Sequence, residues 1–493
     1  MNFVFDQFKF SADKIAIIDS SGTYCYSQLQ SFSDAFATYL LDGKSDLSEA
    51  RVAYMVEPGI NYVSVQWGIW KSGGIAVPLA LSYPLPSLTY VIEDTGAEIV
   101  VVSPQFESLI GPYAEERGIR LIVISDMTQF DELGSLPNIS GERGAMILYT
   151  SGTTSLPKGV LTTHDIIESQ ISTLIKAWQW SPDDSIVCLL PLHHVHGIIN
   201  VVSCALWSGA KVKFLHPFVS EEVFELFLNE EINVFMAVPT IYFKLIQAFD
   251  SFSNLKKSQI TEAFKKVRLM VSGSAALPVN VMEKWKEISG HYLLERYGMT
   301  EIGMAISNPY EGERRAGYIG QPLPGVDVRL VDESNNLTQD QIPGEIQIKG
   351  PSVFKEYWKK SEATARSFTP DGWFKTGDIA VIEDGYFRIL GRDSVDIIKS
   401  GGYKISALEI EEVLRKHPSI KDCAVVGIPN EEWGELVVGA LVIQKPLEIK
   451  DLEQWIRSQM PAYKTPKGYK IMDDLPRNAM GKVVKTEVKA IFS

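Results

Sequence analysis

Tyr149-Thr150-Ser151-Gly152-Thr153-Thr154-Ser155-Leu156-Pro157-Lys158-Gly159 is a run of hydroxyls and glycines closed by a lysine. Five of the six residues from 150 to 155 are Ser or Thr. Backbone N–H groups, hydroxyls and one cation share a tight turn. Together they can wrap a polyphosphate, because no bulky side chain stands between donor and oxygen. The kinase-type loop Gly-x-x-x-x-Gly-Lys-Ser/Thr is a different motif. Here Pro157 takes the second glycine position and Gly159 follows the lysine. A polar surface turn needs neither this density of hydroxyls nor the Pro-Lys-Gly ending, so the stretch reads as a phosphate-binding loop.

Outward from the loop, short β-branched runs alternate with amphipathic stretches. Residues 97–102, 121–124, 185–190, 232–238 and 267–271 read as strands, while 164–178 and 221–229 carry apolar residues at helical spacing. This alternation predicts parallel α/β sheets with ligands at the C-terminal ends of the strands. From 317 to 350 the texture changes to strands punctuated by Gly and Pro, a β-rich subdomain. The sharpest boundary falls at Gly391-Arg392-Asp393-Ser394. Beyond it, residues 395–399 and 403–406 read as a hairpin. Ser406 with Glu409 predicts a capping box that satisfies two free backbone N–H groups at a helix start. Ile410, Val413 and Leu414 form the buried stripe of that helix and Pro418 stops it. The fold class expected is α/β: a large N-terminal domain of α/β sheets with a β-rich subdomain, followed by a small α+β C-terminal domain.

A length of 493 residues exceeds one compact core and predicts at least two domains. The hydrophobic content of 45% is that of a folded globular chain. A formal net charge of −14 excludes broad nucleic-acid binding, though not a local basic pocket for one nucleotide. Cys25, Cys188, Cys204 and Cys423 lack the paired spacing of a zinc site and fit a reducing compartment. Residues 1–10 mix Asp6 and Lys9 among aromatics, unlike a secretory or transit segment. No apolar run is long enough to span a bilayer. These features predict a cytoplasmic protein without a membrane span.

Four further segments follow the loop in order: Leu190-Pro191-Leu192-His193-His194-Val195-His196-Gly197, then Glu295-Arg296-Tyr297-Gly298-Met299-Thr300-Glu301, then Lys375-Thr376-Gly377-Asp378, and finally Gly391-Arg392 with Gly481-Lys482. With these motifs the whole chain resembles the adenylate-forming superfamily of acyl- and aryl-CoA synthetases, peptide-synthetase adenylation domains and beetle luciferase. The resemblance implies ATP, Mg²⁺ and coenzyme A as reactants or cofactor, with an acid activated as its adenylate and then passed to a thiol. It implies domains at 1–392 and 395–493 with a hinge at 393–394, about which the small domain moves.

Carried over by the resemblance, Thr150, Ser151, Gly152, Thr153, Thr154 and Lys158 hold the β- and γ-phosphates, and Thr300 meets the α-phosphate. Glu301 holds the metal, a hard cation suited to carboxylate oxygen. Tyr297 stacks on adenine beside Gly273-Ser274-Ala275, with Glu295, Gly298 and Met299 around the nucleotide. Asp378 and Arg392 bind the ribose hydroxyls. Lys482 and Thr300 serve adenylation, and His194 gates the passage between the acid pocket and the thiol tunnel. Lys399, Ser400, Gly401, Gly402 and Tyr403 form a tunnel wall for the thiol arm of CoA, where glycine allows close backbone approach. Two positions depart from the pattern. Ser155 stands where the loop usually has glycine, and Ser394 falls at the hinge's second position.

The residue before the motif tyrosine borders the acyl pocket in this superfamily and is often glycine; here it is Arg296. A guanidinium is costly to bury behind a fatty chain. Paired bidentately with a second substrate carboxylate, it becomes a specificity device. His196 and Lys244 are expected to add positive character. The competing readings are an Arg296–Glu295 pair or an outward-facing arginine. The histidine-rich segment, Val271-Ser272-Gly273-Ser274-Ala275-Ala276-Leu277-Pro278 and the Glu-Arg-Tyr-Gly-Met-Thr-Glu run resemble malonyl-CoA synthetases, which implies malonate or methylmalonate as the acid. A short-chain, medium-chain or aryl acyl-CoA synthetase, a carrier-loading adenylation enzyme, a luciferase-like oxygenase and a non-catalytic nucleotide binder are the alternatives. The partners expected are small molecules, together with lysine-acylation machinery acting on Lys482, since acylating its amine removes the cation.

Overall fold

Residues Ile99–Val102, Ile-Val-Val-Val, are buried at every position, as a strand covered on both faces requires. In the computed structural model, which describes residues 12–150, 156–392, 395–400, 403–477 and 482–492, this strand lies in a seven-stranded sheet. Its order is Glu356–Tyr357, Lys158–Thr163, Gly144–Thr150, Ile75–Pro78, Arg51–Met55, Ile99–Val102 and Arg120–Val123. The last four strands run parallel, and Gly144–Thr150 with Lys158–Thr163 is an antiparallel hairpin.

A nine-stranded sheet runs Gln321–Pro322, Gly303–Ser307, Leu294–Met299, Leu269–Ser272, Val234–Ala237, Ser185–Cys188, Lys211–Phe214, Ile15–Asp19 and Gly22–Cys25. Its central pairs are parallel. Phe227, Phe235, Phe264, Tyr242 and Trp285 meet edge to face or tilted beneath it, the geometry favoured by ring quadrupoles. Most expected strands begin or end one or two residues away from the sequence reading, because apolar patterning does not mark where the hydrogen-bond ladder stops.

The β-rich stretch becomes an antiparallel four-stranded sheet of Asp327–Val331, Gly344–Lys349, Phe374–Glu383 and Tyr386–Arg392. The small C-terminal domain carries a five-stranded sheet, in which Ile397–Ser400 pairs with Tyr403–Ser406. The helix Ala407–Arg415 packs on it with Ile410 and Leu414 fully buried, whereas Val413 is only partly so. The expected capping box is half formed. Ser406 Oγ accepts from Glu409 N at 3.2 Å, but the Glu409 carboxylate pairs with Arg388 (3.2 Å) and Lys464 (2.6 Å). Two cations draw it off the helix axis more strongly than one neutral N–H would hold it.

Candidate active site

Four loops leave the C-terminal ends of neighbouring parallel strands. After Ser185–Cys188 comes the histidine-rich segment, after Val234–Ala237 the helix Pro239–Ser251, after Leu269–Ser272 the turn at Gly273-Ser274, and after Leu294–Met299 the turn at Thr300-Glu301. The topology therefore collects motifs far apart in sequence at one rim, where α/β sheets bind ligands.

The phosphate loop spans the tip of the 144–163 hairpin. Its ends are paired, Thr150 opposite Lys158, and Thr150 Oγ1 donates to Lys158 O at 3.5 Å. Ser151, Gly152, Thr153, Thr154 and Ser155 lie outside the described residues. Lys158 Nζ sits 4.3 Å from the ring centre of Tyr357, whose hydroxyl donates to Glu301 Oε1 at 2.8 Å. The buried Glu301 Oε2 has no hydrogen-bond partner. Burial raises the Glu301 pKa against the opposing pull of Tyr357, Arg392 and Lys158. An orphaned carboxylate oxygen beside a lysine is a fitting ligand for a hard cation that keeps phosphate and water as its other ligands. Among the described residues no group of three acidic, His or Cys side chains forms a metal cage.

Arg296 and Glu295 alternate across their strand, as its period of two demands. Glu295 Oε1 accepts from Leu277 N at 3.3 Å on one side, while Arg296 Nη2 donates to Ser274 Oγ at 3.2 Å on the other. Arg296 is 3% exposed, its Nε has no partner, and burial alone shifts its pKa, with no carboxylate among the described residues acting on it. Both competing readings of this arginine fail. A Cβ on Gly273 would sit 2.6 Å from Arg296 Nε and Cζ, so the glycine leaves the space that the guanidinium occupies.

Ser274 Oγ also lies 3.1 Å from His196 Nδ1, and Ser274 holds φ at +70°, an uncommon strain for a non-glycine residue. Arg296 can only donate, so Ser274 Oγ accepts from it, and the serine–histidine bond runs in the direction the imidazole tautomer sets. The other ring nitrogen, His196 Nε2, is buried without a partner. Burial drives the His196 pKa well below the usual imidazole range, with Arg296 and His194 pushing the same way. Burial likewise pulls His194 to about 4, and burial with His194 pulls His193 to about 3. The rings of His193 and His194 lie 4.1 Å apart, tilted by 49°. Arg296, pulled to about 9 by burial, remains the cation among three neutral imidazoles at neutral pH. Lys244 does not join them. It is exposed on the outer face of Pro239–Ser251 with Nζ 5.7 Å from the Phe218 ring, because Tyr242, Leu245 and Ile246 take the buried stripe.

Tyr297 is buried and its hydroxyl donates to Asp378 Oδ2 at 2.5 Å, while Arg392 Nε donates to Asp378 Oδ1 at 3.1 Å. Asp378 and Arg392 are cross-strand partners of one hairpin. Tyrosine, aspartate and arginine thus form one polar row beside the Gly273 turn.

A model of the AMP-binding enzyme family matches residues 4–358, and one of the AMP-binding enzyme C-terminal domain matches 409–482. The chain belongs to the AMP-binding enzyme family. The mitochondrial malonate–CoA ligase ACSF3 of Bos taurus is 44% identical to this AMP-binding enzyme over 97% of this chain and 88% of the relative. The crystal structure of ATP-bound MatB from Rhodopseudomonas palustris, 32% identical, covers 100% of this chain and 98% of its own with a TM-score of 0.92. Apo MatB from the same organism gives 0.84 at the same identity and coverage. The overall shape of this AMP-binding enzyme is therefore closer to the ATP-bound form.

That shape brings the small domain's Lys482 to the polar row. The residue has exposed surface, yet its ammonium stands in a crowded neighbourhood that lowers its pKa. Desolvation leads and Arg392 adds to it, against Asp396 and Asp378. Lys485, three residues on and the first residue of the helix Lys485–Phe492, lies 2.6 Å from Asp396 and 2.7 Å from Glu411 and anchors the segment. Lys399 is exposed at the hairpin, Ser400 is buried, and Tyr403 stacks on Tyr463 at 4.5 Å. Gly401, Gly402 and the hinge 393–394 lie outside the described residues. Sequence reasoning missed Tyr357, which only the pairing of Glu356–Tyr357 with Lys158–Thr163 brings to Lys158 and Glu301. It missed Lys485 too, whose only signal was its place three residues beyond Lys482.

Proposed function

We propose that this chain is an ATP-dependent acid–thiol ligase that converts malonate, ATP and CoA into malonyl-CoA, AMP and pyrophosphate. One observation carries the choice of acid: a guanidinium buried without a counter-ion at the acyl rim. A buried unpaired cation is costly, and a ligand carboxylate is the group that relieves it. Malonate–CoA ligase relatives at 44% identity support the same acid.

Arg296 holds the distal carboxylate, so the near carboxylate faces the phosphate loop. A near-carboxylate oxygen attacks the α-phosphorus, the bond from phosphorus to the β-bridging oxygen breaks, and pyrophosphate leaves with that electron pair. Lys158, Thr150 and Thr300 orient the triphosphate, and Lys482 stabilises charge growing on the α-phosphoryl oxygens. Asp378 and Arg392 hold the ribose, with Tyr297 against the base. Bound through Glu301, Mg²⁺ would supply charge neutralisation on the phosphates. The thiolate of CoA, guided past Ser400 and Tyr403, then attacks the acyl carbon and AMP departs with the C–O bond electrons. His194 stands between the two pockets as an uncharged gate. The free thiols of Cys25, Cys188, Cys204 and Cys423 support a reducing compartment such as the cytoplasm. Acylation of Lys482 would switch off the first half-reaction alone.

The test is pyrophosphate release with acetate, malonate, methylmalonate, succinate and octanoate. Malonate or methylmalonate is expected to give the highest kcat/KM. Faster turnover of octanoate or acetate would overturn the diacid assignment.

A further inference from the structure

We propose that Asn200 is a specificity-determining residue that holds the distal carboxylate of the acid together with Arg296 and His196. The inference rests on the malonate reading above. Asn200 is 1% exposed, and neither its Nδ2 nor its Oδ1 has a hydrogen-bond partner. Native proteins rarely leave a buried amide wholly unsatisfied, and such a group marks a missing partner. Its position says which one. His196–Ser203 is a π-helix, a form in which each N–H reaches back five residues and which recurs at functional sites. Four residues is close to one turn of so wide a helix. Asn200 therefore lies on the same face as His196, one turn further along.

That face is tied to the guanidinium through Ser274, which bonds both His196 Nδ1 and Arg296 Nη2. Arg296 Nε, His196 Nε2 and the Asn200 amide are all buried without a partner, and the Ser274 link with the shared helix face points all three to one pocket. Arg296 Nε and Asn200 Nδ2 are donors, and His196 adds a third in its Nε2–H tautomer, which leaves Nδ1 to accept from Ser274. A carboxylate has two oxygens and about four acceptor directions, enough for all three. A fatty chain would leave each of them buried and unpaired. Neutral Asn also tolerates the anion where Asp would repel it, and its size sets how far the pocket extends beyond His196.

The experiment compares wild type with Asn200→Leu, Asn200→Asp and Asn200→Ser, reading KM for malonate and for ATP, and the malonate-to-butyrate ratio of kcat/KM. Expected results are a malonate KM raised about tenfold in Asn200→Leu and more in Asn200→Asp, with ATP KM within twofold. The malonate-to-butyrate ratio falls at least tenfold in Asn200→Leu, and Asn200→Ser is intermediate. A malonate KM unchanged within twofold in Asn200→Leu overturns the proposal, as does an equal rise in malonate and ATP KM. If Asn200→Leu fails to fold, Asn200→Ser decides by the same criteria. Wild-type enzyme inactive on malonate would instead defeat the function proposed above, so the two failures are distinguishable.

Discussion

Replacing Arg296 by methionine separates what the guanidinium does for function from what it does to stability. Burial pulls its pKa from an ordinary value near 12.5 to about 9. At about 1.36 kcal/mol per pH unit, the charged form then carries a penalty on the order of 5 kcal/mol in the unliganded protein. That is an upper bound on the gain from removing it, since the substitution also loses the Ser274 hydrogen bond and some packing. Exchanging buried ionic groups for apolar ones of similar volume is often neutral or stabilising by about 1–4 kcal/mol. Arg296→Met should therefore melt at or above the wild-type temperature at pH 7.5 without substrate. Malonate turnover should collapse, because truncating one partner of a buried charge pair costs about 2–5 kcal/mol, or roughly thirty- to several-thousand-fold in kcat/KM. ATP KM should stay within about threefold. The assays are differential scanning calorimetry and pyrophosphate release under saturating ATP. A variant that melts several degrees lower and loses ATP and malonate affinity together would refute the reasoning, and the arginine would be a structural residue.

Lys482→Ala should cut malonate-dependent pyrophosphate exchange by about 10²–10³, the usual effect of removing one preorganised charge stabiliser, yet still convert supplied malonyl-AMP and CoA to product. An equal loss in both half-reactions would remove the lysine from the first step. Gly273→Ala should raise malonate KM at least tenfold, because the new methyl would lie 2.6 Å from the Arg296 guanidinium; an unchanged KM would mean the arginine does not need that space. Glu295, pushed up to about 8 mainly by burial, with Glu412 of the small domain contributing, binds a proton in the folded state that it has lost when unfolded near neutrality. Its stabilisation is complete below the ordinary glutamate pKa and disappears as pH rises through about 8, at up to about 1.4 kcal/mol per pH unit. Glu295→Gln should flatten that part of the stability–pH curve in chemical denaturation, and an identical slope in both proteins would place the titration elsewhere.

Local chemistry was legible before any coordinates. A hydroxyl-rich loop declares its ligand because its donors are neighbours along the backbone, and strand–helix alternation declares a parallel sheet because burial on both faces forces apolar runs such as Ile99–Val102. The motif order carried the family, and Arg296 stood out because an arginine has no ordinary place beside an acyl pocket. Distances across the sheet were out of reach. That Arg296 lacks a counter-ion, that Ser274 joins it to His196, and that Tyr357 bridges Lys158 to Glu301 depend on strands paired in space and separated in sequence. Lys244 shows the converse: helical phase, rather than chemical type, decides which cation enters the pocket. Charge type and short-range pattern travel with the chain, whereas desolvation and hydrogen-bond satisfaction exist only once the sheets close and exclude water.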